Sequence, residues 1–322
     1  MFCRLLLTIF LAVASLANAS AESYPQRAVK VVVPFPPGGG IDVLIRAIAE
    51  ELSQKWGKPV IIENRSGAGG NIGAEAAARA DPDGHTLLAT VNQTLTANRF
   101  LYRNLPYDPD RSFAPITLMV QSDHILIAHP SVPARDAREL VQLAKGEPGK
   151  LTYGSFGSGS QPQLIYETLK KTEGIDILHV PYKGIAPLLF AVTAGEVKLA
   201  TGSAGVAGEL LRGGKVKALA IAGKRRSPQF PDVPTTGELG LPQIQASIWY
   251  GLFAPAGTPE AIVQKVGDDV RALLRDPAFA ERHATSKGLD VVANTPKEFV
   301  ATIRDESAMV GEMIRAAGVE PN

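Results

Sequence analysis

Four short stretches, at 34–42, 64–71, 154–160 and 201–208, are rich in glycine, proline and small polar residues. Each stands between an expected strand end and an expected helix start. Helix N-termini leave unpaired amides and a partial positive charge, and glycine lets a ligand come close to the backbone. In open α/β sheets, ligands bind beyond the carboxyl ends of the strands. Any one such loop reads equally as a tight turn, but four at equivalent places fit the capture of an anion, most simply a carboxylate.

Arrangements for bond-breaking chemistry are sparse. The stretch Gly154-Ser155-Phe156-Gly157-Ser158-Gly159-Ser160 does not match a G-x-S-x-G elbow, and no H-E-x-x-H is present. Gly67 to Gly73 lacks G-x-G-x-x-G spacing, and there is no P-loop lysine motif. No two of His85, His124, His129, His179 and His283 lie four apart, so each reads as a surface or satisfied core residue. A Ser-His-Asp set assembled only in three dimensions stays open. The expectation is a protein that is not an enzyme and carries no cofactor and no metal.

The elements that must position these loops are legible. Val29 to Val33 is a nearly continuous β-branched run, the pattern of a strand covered on both faces. Ile41, Leu44, Ile45, Ile48 and Leu52 recur at helical spacing. Val60 to Ile62 and Thr86 to Val91 predict two more strands, separated by a short alanine helix from Gly73 to Ala80. Extended stretches at Ile116 to Val120 with Ile125 to Ala128, and at Ile248 to Ala254, read as crossings between two α/β units. The second unit is expected to hold strands at 151–153, 177–180, 197–200 and 216–221, with helices at 137–145, 161–171, 188–193 and 207–211. Two C-terminal helices follow, one opening at Pro259 and one at Thr295-Pro296-Lys297-Glu298, a capping box with proline at the first helical position. Two crossings imply two lobes that can close over a ligand. Trp249, Tyr250 and Phe253 on the return crossing read as packing. Phe35 and Tyr182, each beside a Pro/Gly loop, could wall a ligand or fill core.

Length and composition bound the class. The 322 residues suggest about two domains. With 33 basic and 32 acidic residues and no long basic stripe, nucleic-acid and membrane-surface binding are disfavoured. Arg4, the apolar run Leu5 to Leu16 and Ala17-Asn18-Ala19 make a secretory signal, cut after Ala19 or alternatively after Ala21. The only cysteine, Cys3, lies inside it. The mature chain is therefore expected in the periplasm, without disulfides or thiolate chemistry.

The motifs also resemble a known family. Val31-Val32-Val33-Pro34-Phe35-Pro36-Pro37-Gly38-Gly39-Gly40-Ile41-Asp42 is similar to the start of the Bug receptors, the extracytoplasmic solute receptors of tripartite tricarboxylate transporters. Glu63-Asn64-Arg65-Ser66-Gly67-Ala68-Gly69-Gly70-Asn71 resembles their second signature, and Asp81-Pro82-Asp83-Gly84 follows in register. His179-Val180-Pro181-Tyr182-Lys183-Gly184 and Ala254-Pro255-Ala256-Gly257-Thr258-Pro259 extend the match to most of the mature chain.

The resemblance implies a two-lobed α/β fold of the periplasmic-binding-protein type II (Venus-flytrap) kind, with two interdomain crossings. After a signal peptide at 1–19, residues 20–120 with 250–322 would form the first lobe and 121–249 the second. It implies first-lobe ligand contacts from Phe35, Pro36, Gly39, Asp42, Gly70, Asn71, Thr90 and Asn92. Second-lobe contacts would come from Ser155, Gly157, Ser158, Gly159, Ser160 and Tyr182. The expected partners are a small organic carboxylate and the permease subunits of a tripartite tricarboxylate-type transporter, with the receptor a monomer. A ligand-dependent partner of a sensor kinase is the alternative, an exported hydrolase a more distant one. Three departures touch the presumed site. The stretch after Val91 lacks the usual glycine loop, Gln163 stands where many relatives have histidine, and no acid lies near Gly202. Loss of that acid disfavours an amino-acid ligand.

Overall fold

The computed structural model describes residues 24–155, 159–182 and 185–321. The expected cleavage at Ala19 or Ala21 falls outside them, as do Gly157 and Ser158. β1 (Val29–Val33) runs into a Pro/Gly loop and α1 (Gly40–Trp56), whose buried face is the one its periodicity predicts. Gly57, at φ 62°, ends the helix in the left-handed region that glycine tolerates. β2 (Val60–Asn64), α2 (Asn71–Ala78) and β3 (Thr86–Val91) follow, and β1 lies between β2 and β3, parallel to both.

After β3 the sequence reads as a loop, yet the chain winds into α3 (Asn92–Thr96) and α4 (Asn98–Leu101). The backbone closes these turns, with the Ala97 amide donating to the Gln93 carbonyl at 3.1 Å and the Tyr102 amide to the Asn98 carbonyl at 3.0 Å, while the Thr96 hydroxyl bonds back to the Asn92 carbonyl at 3.0 Å. β4 (Phe113–Ala128) is one continuous strand, as the long extended stretch predicts. Its polar middle, Gln121 to Asp123, does not break it because each residue there has a ladder partner, Trp249, Ile248 and Ser247 in turn.

The chain continues through α5 (Ala137–Gly146), β5 (Thr152–Ser155), α6 (Gln161–Glu173), β6 (Leu178–Pro181), α7 (Ile185–Ala194), β7 (Leu199–Ser203), α8 (Ala204–Arg212), β8 (Lys217–Ile221) and β9 (Ser247–Pro255). It closes with α9 (Glu260–Arg275), α10 (Pro277–His283), β10 (Asp290–Val291) and α11 (Pro296–Ala316). The C-terminal part thus holds three helices rather than two. Asp276 caps a new one by accepting from the Phe279 amide, with Pro277 at its start. The capping box at Thr295 and Glu298 forms as expected.

Strand order is β2-β1-β3-β9-β4-β7-β5-β6. β4 pairs with β9 over residues 113–123, then with β7 and β8 over 124–128. One strand is therefore shared by two sheets, each with its own helices and core. One core gathers Val31, Leu44, Ile48, Val120, Leu252 and Val266, with Trp249, Phe253 and Phe299 beside it. The other gathers Leu126, Leu140, Tyr153, Leu164 and Leu219, with Ile125, Leu188 and Val192 beside it. α11 serves both, placing Phe299 and Ile303 in the first and Val310, Met313 and Ile314 in the second.

Gly251 on β9 lets the Trp249, Phe253 and Phe299 rings meet. A Cβ there would lie 2.8 Å from Phe253 Cε2 and 2.9 Å from Trp249 Cζ3, with Phe299 closer still. Gly251→Ala is expected to destabilise by about 1–3 kcal/mol through overpacking, read as a lower urea midpoint.

Candidate functional site

A cavity of about 270 Å³ lies where the two sheets meet. Its walls are Val91, Asn92, Gln93 and Ala97 from β3, α3 and the turn after it, and Gly159, Gln161 and Leu164 from the start of α6. The rest are Ile185, Gly202, Ser203, Val206, and the crossing residues His124 and Ile248. Two full-length helices, α6 and α8, begin at this cavity. Ser160 and Ser203 are their N-caps, and neither hydroxyl caps its own helix. Helix starts of this kind can turn backbone amides towards an anion, although Pro162 supplies none to α6.

No Lys, Arg, Asp or Glu is among the described residues that line the cavity. The one titratable side chain among those described walls is His124. Burial alone pushes its pKa down to about 4, so it is neutral at ordinary pH. Thr201 Oγ1 lies 3.3 Å from its Nδ1.

The expected contacts divide by position. Asn92 and Gly159 line the cavity. The Gly159 amide is already given to Gln163 Oε1 at 2.7 Å, so Gln163 holds the turn that opens α6. Thr90, Gly70 and Phe35 are not among the described walls and meet one another around Thr94. Thr90 and Thr94 hydroxyls are bonded at 2.7 Å, and a Cβ on Gly70 would lie 3.0 Å from Thr94 Oγ1 and 3.3 Å from Phe35 Cζ.

Asp42 and Asn71 are buried and hold loops. Asp42 accepts from the Gly38 amide at 2.9 Å, from Asn64 Nδ2 at 2.8 Å and from Arg46. Burial raises its pKa, but these donors outweigh it and leave the carboxyl at about 2. Asn71 Oδ1 accepts from Asn98 Nδ2 at 2.6 Å and Tyr107 OH at 2.9 Å. These two therefore shape the site's loops rather than face the cavity. Pro36 and Gly39 are exposed on the first of those loops.

Ser155 is fully buried, its hydroxyl 2.7 Å from His179 Nε2. His179 stacks on Tyr153, and burial holds its pKa below the usual value. The nearby acid Glu167 bonds Tyr153 and Lys170 instead. Tyr182 is half-buried over Gly154, and its amide donates to the Ser155 carbonyl at 2.7 Å. Ser160 is the half-buried cap of α6.

Sequence reasoning placed the glycine loop at 201–208 but missed His124, Gln93, Gln161 and Ile248 as wall residues. His124 carried no signal, since only the partnering of β4 with β7 sets it opposite Ser203. Trp249 and Phe253 are core, as read.

A second cavity, of about 900 Å³, lies at the crossings, with Asp123, Lys224, Arg225, Asp290 and Glu306 among its walls. Burial, with Asp290 nearby, pushes the Asp123 carboxyl up to about 6. Glu306 on α11 lines this second cavity and bonds Asn92, a wall of the first. It accepts from Asn92 Nδ2 at 2.6 Å and from Trp249 Nε1, and Asn92 Nδ2 also donates to the Ser247 carbonyl at 2.8 Å.

Two sheets joined by two antiparallel crossings, with helix N-termini opening on a cavity between them, define a solute-binding receptor of the two-lobed periplasmic kind. The sequence matches the tripartite tricarboxylate transporter family receptor over residues 44–319, and the chain belongs to that family. It is 36% identical over 318 residues to a UPF0065 protein of Bordetella pertussis, covering 99% of this chain and 98% of the relative. Among solved structures, a Rhodopseudomonas palustris protein with adipate superimposes at TM-score 0.80 with 32% identity, over 93% of this chain and 100% of that one. MatC from the same organism, with bound malate, gives TM-score 0.74 and 36% identity, over 90% and 100%. The described residues include no helix long and apolar enough to cross a membrane.

Proposed function

We propose that the protein captures a small organic carboxylate in the 270 Å³ cavity and delivers it to membrane permease subunits. The observation that carries this reading is the cavity itself. The N-termini of α6 and α8 open on it, and its described walls bear no formal charge. An anion there is held by backbone amides, neutral hydroxyl and amide side chains, and exclusion of water. The adipate and malate of the two R. palustris proteins support the ligand class.

In this reading the chain is exported with cleavage after Ala19 and acts without catalysis. Residues 20–120 with 250–322 form one lobe and 121–249 the other. The change of β4 partners at residue 124 supports a hinge near that point. Capture is closure of the lobes about β4 and β9.

The test is calorimetric titration of the mature protein, unfolded and refolded to shed carried-over ligand, with a panel of organic acids. A carboxylate is expected to bind and to raise the melting temperature. At 100 times its dissociation constant it adds about 2.7 kcal/mol of stability. Silence across the panel, or a response only to cations or sugars, overturns the reading.

A further inference from the structure

His124 stands where β4 leaves β9 and pairs with β7, opposite Ser203. Its backbone is tied on both sides. The amide donates to the Ala246 carbonyl at 2.9 Å, and the carbonyl accepts from the Ala222 amide at 2.7 Å. The imidazole, only 6% exposed, is a wall of the 270 Å³ cavity. One ring nitrogen, Nδ1, lies 3.3 Å from Thr201 Oγ1. The other, Nε2, has no hydrogen-bond partner among the described residues, yet it is not sealed from solvent, so it opens on the cavity. A nitrogen of this kind is satisfied by what fills the cavity.

Thr201 leaves the ring free to change its protonation. Its hydroxyl can donate to a bare Nδ1 or accept from a protonated one. Nδ1 is therefore satisfied whether the ring is neutral, with its proton on Nε2, or charged. Burial alone keeps the ring neutral. No charged side chain among the described residues faces it from the elements packed around it. The acids nearby in the fold, Asp123 on β4, Asp290 on β10 and Glu306 on α11, line the second cavity instead. A carboxylate against Nε2 reverses the balance. An opposite charge in contact favours the imidazolium, and the hydrogen bond between the two ions is stronger than a neutral one.

We propose that His124 is a ligand-binding residue of this receptor: its Nε2–H holds the bound carboxylate, and capture of the anion brings a proton onto the ring. Affinity then rises as pH falls, because the liganded form binds more protons than the free one. This inference rests on the carboxylate reading above and deepens it.

The test compares the refolded mature protein with His124→Gln, which keeps an amide donor but cannot titrate. Both are titrated by calorimetry with adipate, malate, citrate and benzoate at pH 5.5 and pH 8. The ratio of variant to parent dissociation constants cancels the ionisation of the acid itself. For each acid that binds, that ratio is expected to be about fivefold or more larger at pH 5.5 than at pH 8. The parent alone gives a second readout. Its His124 ring, followed by NMR, should titrate at least about one pH unit higher with saturating acid than without. A purely structural histidine would move neither quantity. A ratio independent of pH, or a ring titration that the acid leaves in place, overturns the inference while the carboxylate reading stands. Silence from every acid overturns both.

Discussion

Gly202→Asp is expected to weaken carboxylate binding by about 100-fold or more without unfolding the receptor. Gly202 lines the cavity on β7, directly before the N-cap of α8. A Cβ added there meets Ala207 Cβ at 3.5 Å, an ordinary contact, and its φ is not in the left-handed region. An aspartate at this point acts in two ways. It sets a negative charge beside the ligand's carboxylate, where two unit charges about 4 Å apart repel by about 4 kcal/mol in a partly screened site. It also competes for the α8 amides that would otherwise hold the ligand. About 3 kcal/mol of net loss corresponds to about two orders of magnitude in dissociation constant. Gly202→Asn, close in shape and neutral, should keep affinity within about threefold. Calorimetry on both variants decides, and equal affinities for the two would remove this cavity from the binding site. The family resemblance implies an acid near this position in many relatives, so the exchange also asks whether its absence helps define the ligand of this chain.

Replacing Glu306 is expected to change strongly how stability depends on pH. Burial raises its pKa from 4.5 to about 7, against the opposing hydrogen bonds from Asn92, Trp249 and Thr96. Desolvation of the carboxylate wins because the side chain is enclosed between both cores. In the unfolded chain the group ionises near 4.5. Between those values the folded state binds more protons than the unfolded one. The stability Glu306 contributes is thus fully present below about 4.5 and is lost as pH rises through about 7. The loss is on the order of 3 kcal/mol. Glu306→Gln cannot titrate, so its urea midpoint should vary less between pH 5 and 8.5 than that of the parent. The variant should be close to the parent at pH 5 and the more stable of the two at pH 8.5, because its neutral amide escapes the desolvation that the carboxylate suffers. Parallel pH profiles for the two proteins would sink this account. Glu306→Ala should be weaker at every pH, because the indole N–H of Trp249 and the Thr96 hydroxyl lose an acceptor. The same carboxylate steadies Asn92, which is itself a wall of the ligand cavity.

The legible and illegible parts of this protein divide by the range of the forces involved. The face of α1 and the start of α11 could be read directly, because a 3.6-residue apolar period and a capping box are local signals. β1 to β3 could be read because β-branched runs bounded by Pro and Gly have few alternatives. The family motifs extended this to the whole fold and its class. Within the site, the loops were legible and the roles inside them were not. Asp42 and Asn71 have the chemistry of ligand contacts, yet their hydrogen bonds turn inward to Gly38, Asn64, Asn98 and Tyr107.

By itself the sequence determined the α/β class, the glycine loops at helix starts and, through its motifs, the receptor family; two units joined twice and an exported, cysteine-free mature chain are its expectations. Those features depend on residues close together in the chain, where periodicity, turn chemistry and charge are written directly. Tertiary structure alone decided that His124, Gln93, Ile248 and Val206 share one wall, and that Glu306 from the last helix supports Asn92 across 214 positions. These pairings arise from strand register and from which cavity the helices enclose. Such long-range contacts are set by the packing of whole elements, and no local pattern encodes them.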